Sequence, residues 1–185
     1  MIARSPRSRA ASATRGWGTN TGVRASTEYS VAAGCDVLLL AAPAQHLRSV
    51  CRNLRAHVRP RTPAVICAKG IEENSGALLS DIVAAELDTA IVAVLSGPTF
   101  APEVARGLPT ALVAASRDER AVRCVQDEFR SAAFRLYASD DVAGVEVGAA
   151  LKNVIAIAAG MVQSMGLGHN ATSALITRGL AEISR

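Results

Sequence analysis

The stretch "CDVLLLAAPAQHLRSVCRNLRAHV" (residues 35–58) changes its hydrophobic period at a single proline. Up to Ala42 it is a continuous apolar run, the mark of a strand covered on both faces. Pro43 ends that run, because it has no N–H to donate to a sheet ladder. Beyond it, Leu47, Val50, Cys51, Leu54 and Val58 recur at helical spacing. A covered strand followed by an amphipathic helix is the first half of a parallel-sheet unit.

Working outward, the same alternation repeats. "AVICAKG" (64–70) and "AIVAVLSG" (90–97) read as further strands, with a helix "GALLSDIVAAEL" (76–87) between them. "TALVAAS" (110–116), a helix over 118–131 and "FRLYAS" (134–139) continue the series. The pattern predicts an α/β fold, an incomplete doubly wound, Rossmann-type and largely parallel sheet with helices on both faces. After residue 140 the strands stop, and two successive helices open an all-α domain. The expected organisation is therefore a disordered basic segment over 1–21, a partial dinucleotide-binding domain over 22–139, and the start of a helical substrate domain over 140–185.

Composition narrows the function classes. The chain has 185 residues and a formal net charge of +4. Five arginines (Arg4, Arg7, Arg9, Arg15, Arg24) precede the first acid, Glu28, so the remainder is nearly neutral and offers no general nucleic-acid surface. Residues 1–21 have the acid-poor composition of a transit peptide, a disordered extension or a displaced start. No uninterrupted apolar run approaches the ~18–20 residues of a membrane span. Cys35, Cys51, Cys67 and Cys124 lack metal-type spacing and read as reduced thiols, which fits a cytoplasmic protein. His46, His57 and His169 form no ligand pair, and no metal site is expected.

Of twenty basic residues only Lys69 and Lys152 are lysines. Lysine, unlike arginine, can become a neutral amine near physiological pH. Lys152 and Asn153 sit inside "GVEVGAALKNVIAIAAGMV" (144–162), a helix apolar on nearly every side. Such a helix is expected to be buried, with the ammonium pKa lowered and the amine suited to act as a base. A lysine that snorkels to solvent, or one paired with Asp140, Asp141 or Glu146, is the alternative. Lys69 lies at the exit of one strand, and "LSGPTFAPEVARGLP" (95–109) follows the next. A helix is expected to start near Thr99, presenting N–H groups to an anion. Both lysines would then face the crevice at the carboxyl ends of the strands, where such sheets bind ligands.

"CAKGIE", "LSGPTFAPEVARGLPTALVAAS", "FRLYASDDVAGVEVGAALKNVIAIAAGM" and "GLGHNATSALITRGLAEISR", in this order, resemble the bacterial-type NAD(P)-dependent glycerol-3-phosphate dehydrogenases, from about residue 22 to 185. The resemblance implies that Lys152 accepts the proton of the C2 hydroxyl during hydride transfer, with Asn153 supporting it. It implies that Lys69 contacts cofactor and substrate, that Gly97 and Thr99 contact substrate, and that Ala101 contacts the cofactor, NAD or NADP. The substrate would be glycerol 3-phosphate or dihydroxyacetone phosphate, in glycerophospholipid synthesis; a homodimer is compatible, and neither nucleic acid nor membrane is an expected partner.

Two departures from that family are visible. No G-x-G-x-x-G exists in the sequence; "RGWGTNTG" (15–22) resembles only the end of the family's fingerprint. The later Asp and Ser-Arg-Asn positions that the family uses for phosphate are also absent. The expectation is a chain truncated at both ends, with a long unpaired apolar edge at 35–42 and little or no activity. A hydroxyacid dehydrogenase or ketopantoate reductase-like enzyme, or a non-catalytic fragment, are the alternative readings.

Overall fold

The computed structural model describes residues 26–185 apart from Thr89. The expected basic segment 1–21 and the "RGWGTNTG" remnant lie outside the described residues. After a short 3-10 turn at Tyr29–Ala32, the elements run β1 (Leu38–Leu40), α1 (Ala44–Leu54), β2 (Pro63–Ile66), α2 (Leu79–Glu86), β3 (Ile91–Ser96) and α3 (Ala101–Ala105). They continue as β4 (Thr110–Ala115), α4 (Glu119–Glu128), β5 (Phe134–Ser139), α5 (Val142–Ser164) and α6 (Gly168–Ile183).

The strands form one five-stranded sheet in chain order, β1-β2-β3-β4-β5. β1, β2 and β3 are parallel, β4 runs antiparallel to β3, and β5 is parallel to β4. Three of the four pairings are parallel, as expected of a largely parallel sheet, and the one reversal, at β3–β4, was not foreseen. The reversal has a local cause. β3 leaves the sheet through Gly97-Pro98, and the only helix before β4 is the five-residue α3. That helix rises about 8 Å, too little to carry the chain back along a strand of about 20 Å.

Two apolar cores flank the sheet. Leu47, Cys51 and Leu54 of α1 and Leu79, Ile82 and Val83 of α2 pack with Leu38, Leu40, Ile66 and Val94 on one face. Ala121, Val122 and Val125 of α4 close the other face over Val65, Ala93 and Ala114. Helices therefore cover both faces, as the alternation predicted. Arg48 adds a polar tie: its guanidinium donates to both carboxylate oxygens of Glu72 (2.9 and 2.8 Å) and to Glu86 (2.8 Å). Among the described residues β1 is a sheet edge, but only three residues long, so the exposed ladder is shorter than the expected run over 35–42.

α5 departs most from expectation. It packs on β3, β4 and α6, yet only Glu146 and Ala149 are buried along its 23 residues. It is long and apolar enough to cross a membrane by length and composition alone. Its periodicity reports an apolar surface, and periodicity carries no information about how much of that surface this chain covers.

Candidate functional site

β1, β2 and β3 run in parallel, so their carboxyl ends lie along one side of the sheet. Lys69 stands three residues past β2, half-buried, and its Nζ donates to the carbonyl oxygen of Gly97 at 3.4 Å, directly after β3. Gly97 has φ +159, and a Cβ there would lie 2.7 Å from the Ala111 carbonyl oxygen. Glycine is required by the closeness of β4 at this turn, and its bare backbone leaves the carbonyl free to meet Lys69.

Lys152 arrives from above. β5 is antiparallel to β3, so α5 begins beside the start of β3 and runs toward the end where Gly97 lies. Lys152 Nζ donates to Asn153 Oδ1 at 3.0 Å. Both side chains are exposed, which corrects the expected burial of this amine; the desolvation invoked for it falls on Lys69 instead. Burial, reinforced by the neighbouring Lys152 charge, holds the Lys69 ammonium below the ordinary lysine range. The charge of Lys152, the other lysine of the chain, is thus felt at Lys69. None of Asp140, Asp141 and Glu146 pairs with Lys152.

Thr99 and Ala101 are exposed beyond Gly97 and make no hydrogen bond to either lysine among the described residues. The helix expected from Thr99 starts at Ala101 and lasts five residues, with the Glu103 and Val104 N–H groups donating to the Phe100 carbonyl. A cleft of about 420 Å³, lined by Ser80, Asp81, Ile91, Ser116, Arg117 and Val142 among others, lies at the start of β3. That is the opposite end of the strand from Gly97, away from the lysine pair.

The charged group that α5 does bury is Glu146, at 5% exposure. Its carboxylate accepts from the Ser80 N–H (3.0 Å) and from the Ser80 hydroxyl, at the first turn of α2. Burial pushes this carboxyl above the usual carboxylate range despite those donors. Sequence reasoning missed the contact. The available signal was Leu78, an apolar residue at the position where α2 needs a cap.

The crevice offers a half-buried ammonium, a second ammonium held by an amide, backbone groups and the small residues Ala42 and Ala68. That donor set fits an anionic ligand.

Comparisons with known proteins give the family. Residues 11–122 match the family model described as NAD-dependent glycerol-3-phosphate dehydrogenase N-terminus, and residues 141–185 match its C-terminus. A glycerol-3-phosphate dehydrogenase [NAD(P)+] of Paramagnetospirillum magneticum is 53% identical over 163 residues, covering 88% of this chain and 59% of the relative. The crystal structure of a glycerol-3-phosphate dehydrogenase from Coxiella burnetii aligns with a TM-score of 0.77 at 37% identity, over 82% of this chain and 46% of that one. A structure from Dunaliella salina aligns at TM-score 0.81 and 27% identity, over 90% and 29%. The chain spans about half the length of such relatives. On these matches, it belongs to the NAD-dependent glycerol-3-phosphate dehydrogenase family.

Proposed function

We propose that the chain carries the substrate-side machinery for interconverting sn-glycerol 3-phosphate and dihydroxyacetone phosphate. The observation that carries the reading is Lys69, past the end of β2, donating to the Gly97 carbonyl at the end of β3 and feeling the charge of Lys152, the only other lysine in the sequence. Lys152 takes the C2 hydroxyl proton in oxidation and returns it in reduction. Asn153 orients the amine through its amide oxygen. Lys69 holds the anionic substrate and the near edge of the cofactor, with Gly97 and Thr99 on the substrate and Ala101 on the cofactor.

NAD or NADP, when bound, supplies the hydride exchange at C2. In this reading residues 22–139 serve the cofactor and 140–185 the substrate, in a cytoplasmic enzyme feeding phospholipid synthesis. With no G-x-G-x-x-G in the sequence, pyrophosphate affinity is low and the isolated chain turns over little.

Two measurements test this. With lysine labelled at Cε, dihydroxyacetone phosphate should perturb both lysine resonances; an unchanged spectrum at saturating ligand would overturn the site. A spectrophotometric assay with dihydroxyacetone phosphate and NADPH should give slow or no turnover, and robust turnover would refute the low-activity reading.

A further inference from the structure

We propose that Glu146 is a positioning residue: its carboxylate, clamped on the first turn of α2, sets the height of α5 and so holds Lys152 beside Lys69 and Gly97. The proposal rests on the lysine-pair reading of the site and extends it to a residue outside the crevice.

The clamp is built from both sides. α2 begins at Leu78 with no side-chain cap of its own, so its first N–H groups need an acceptor. Glu146 supplies one from 66 residues away, meeting the Ser80 N–H at 3.0 Å and the Ser80 hydroxyl with its second oxygen. Taking a carboxylate out of water is costly, and charge-assisted bonds to a helix start offset the cost. An apolar residue at 146 would fill the same space more cheaply. A carboxylate there gives something packing does not, a fixed register between two helices.

That register fixes the position of residues further along α5. Glu146 and Ala149 are its only buried residues, with Val142 and Val145 half-buried on the same core. Lys152 is next on this face, about 9 Å further at the helical rise. α5 also packs on α6, with Gly148 next to Ile183 and Ile155 against Gly179. Among the described residues, Glu146 makes the side-chain hydrogen bonds that tie these turns of α5 to another element, and so it bears on the height of Lys152 over the strand ends.

The test uses the full 185-residue chain with lysine labelled at Cε, giving two side-chain resonances that Lys152→Met assigns. That variant removes one charge facing Lys69 and should raise the Lys69 titration midpoint. Glu146→Leu keeps the buried volume but breaks the clamp, and should raise the midpoint in the same sense. Combined with Lys152→Met it should add nothing further. Glu146→Gln still accepts from the Ser80 N–H and should leave Lys69 as in the parent.

A purely electrostatic effect of losing the Glu146 charge has the opposite sign, lowering the midpoint. A lowered melting temperature for Glu146→Leu with an unmoved Lys69 midpoint overturns the proposal. Should that variant not fold, Ser80→Ala is the milder break: a smaller upward movement supports the clamp, and none overturns it. If Lys152→Met itself leaves Lys69 unmoved, the lysine-pair reading fails and takes this proposal with it.

Discussion

Glu146 and Glu72 are two carboxyls whose surroundings push them in opposite directions, and their pH responses differ accordingly. Glu146 is raised, so the folded chain binds its proton more tightly than the unfolded one. Its contribution to stability grows as pH falls through the raised value toward the ordinary one. At neutral pH the ionised form is a net cost, and Glu146→Gln should hold or raise the melting temperature there. Glu146→Ala strands the Ser80 donors and should lower unfolding free energy by about 1–3 kcal/mol, read from urea melts. For Lys152 the informative substitution is arginine, which keeps the charge but removes the transferable proton. In a full-length relative, arginine at the aligned lysine should cut kcat about 10²–10⁴-fold in a steady-state assay. Near-normal turnover would assign that lysine a charge role only. The buried thiols are quiet: burial pushes Cys51 up to about 11, leaving little thiolate at neutral pH.

Between elements, the strongest polar tie joins α1, α2 and the segment leading into α2. The Arg48 guanidinium, with Ser75 assisting, holds the Glu72 carboxyl at about 2. A depressed carboxyl stabilises the fold above its unfolded value and loses that contribution as pH falls through about 2. Stability followed by circular dichroism should therefore decline from about pH 4.5 downward, and Arg48→Met should flatten the decline. Within the core, Leu47 is fully buried on α1, and Leu47→Ala should cost about 2–5 kcal/mol in chemical denaturation. The strands and helices around these residues were legible in the sequence, because strand and helix periods differ and Pro43, Gly70 and Gly97 punctuate them. The antiparallel turn into β4 was not, since direction depends on the length of the linking helix, and "PTFAPEVARG" reads as longer than the five residues it forms. The place of Lys69 at the strand ends was legible from its position just past a strand and before Gly70. The Ser80–Glu146 contact was not, because nothing local to either residue says that they meet.

Across the whole molecule, the α5–α6 pair presents an apolar surface. Val154, Ile157, Met161 and Met165, on α5 and its C-terminal cap, are each 60–67% exposed, with Leu180 of α6 at 56%. Contiguous surfaces of this kind promote association. The purified chain should bind a hydrophobic dye and elute as oligomers at micromolar concentration. Ile157→Glu with Met161→Lys should shift it toward monomer in light scattering, leaving the circular dichroism spectrum unchanged.

The sheet is also laid down in the order of the chain, each strand pairing with its predecessor, so it can grow during synthesis. α2 is the exception to this vectorial assembly. Its capping carboxylate lies 66 residues downstream, about 3–13 s of translation at ordinary elongation rates. Until Glu146 clears the ribosome, the first turn of α2 has only water for its N–H groups. The arrival of α5 then completes a helix made long before it, and a nascent chain halted between residues 90 and 146 should show that turn exchanging its amide protons freely.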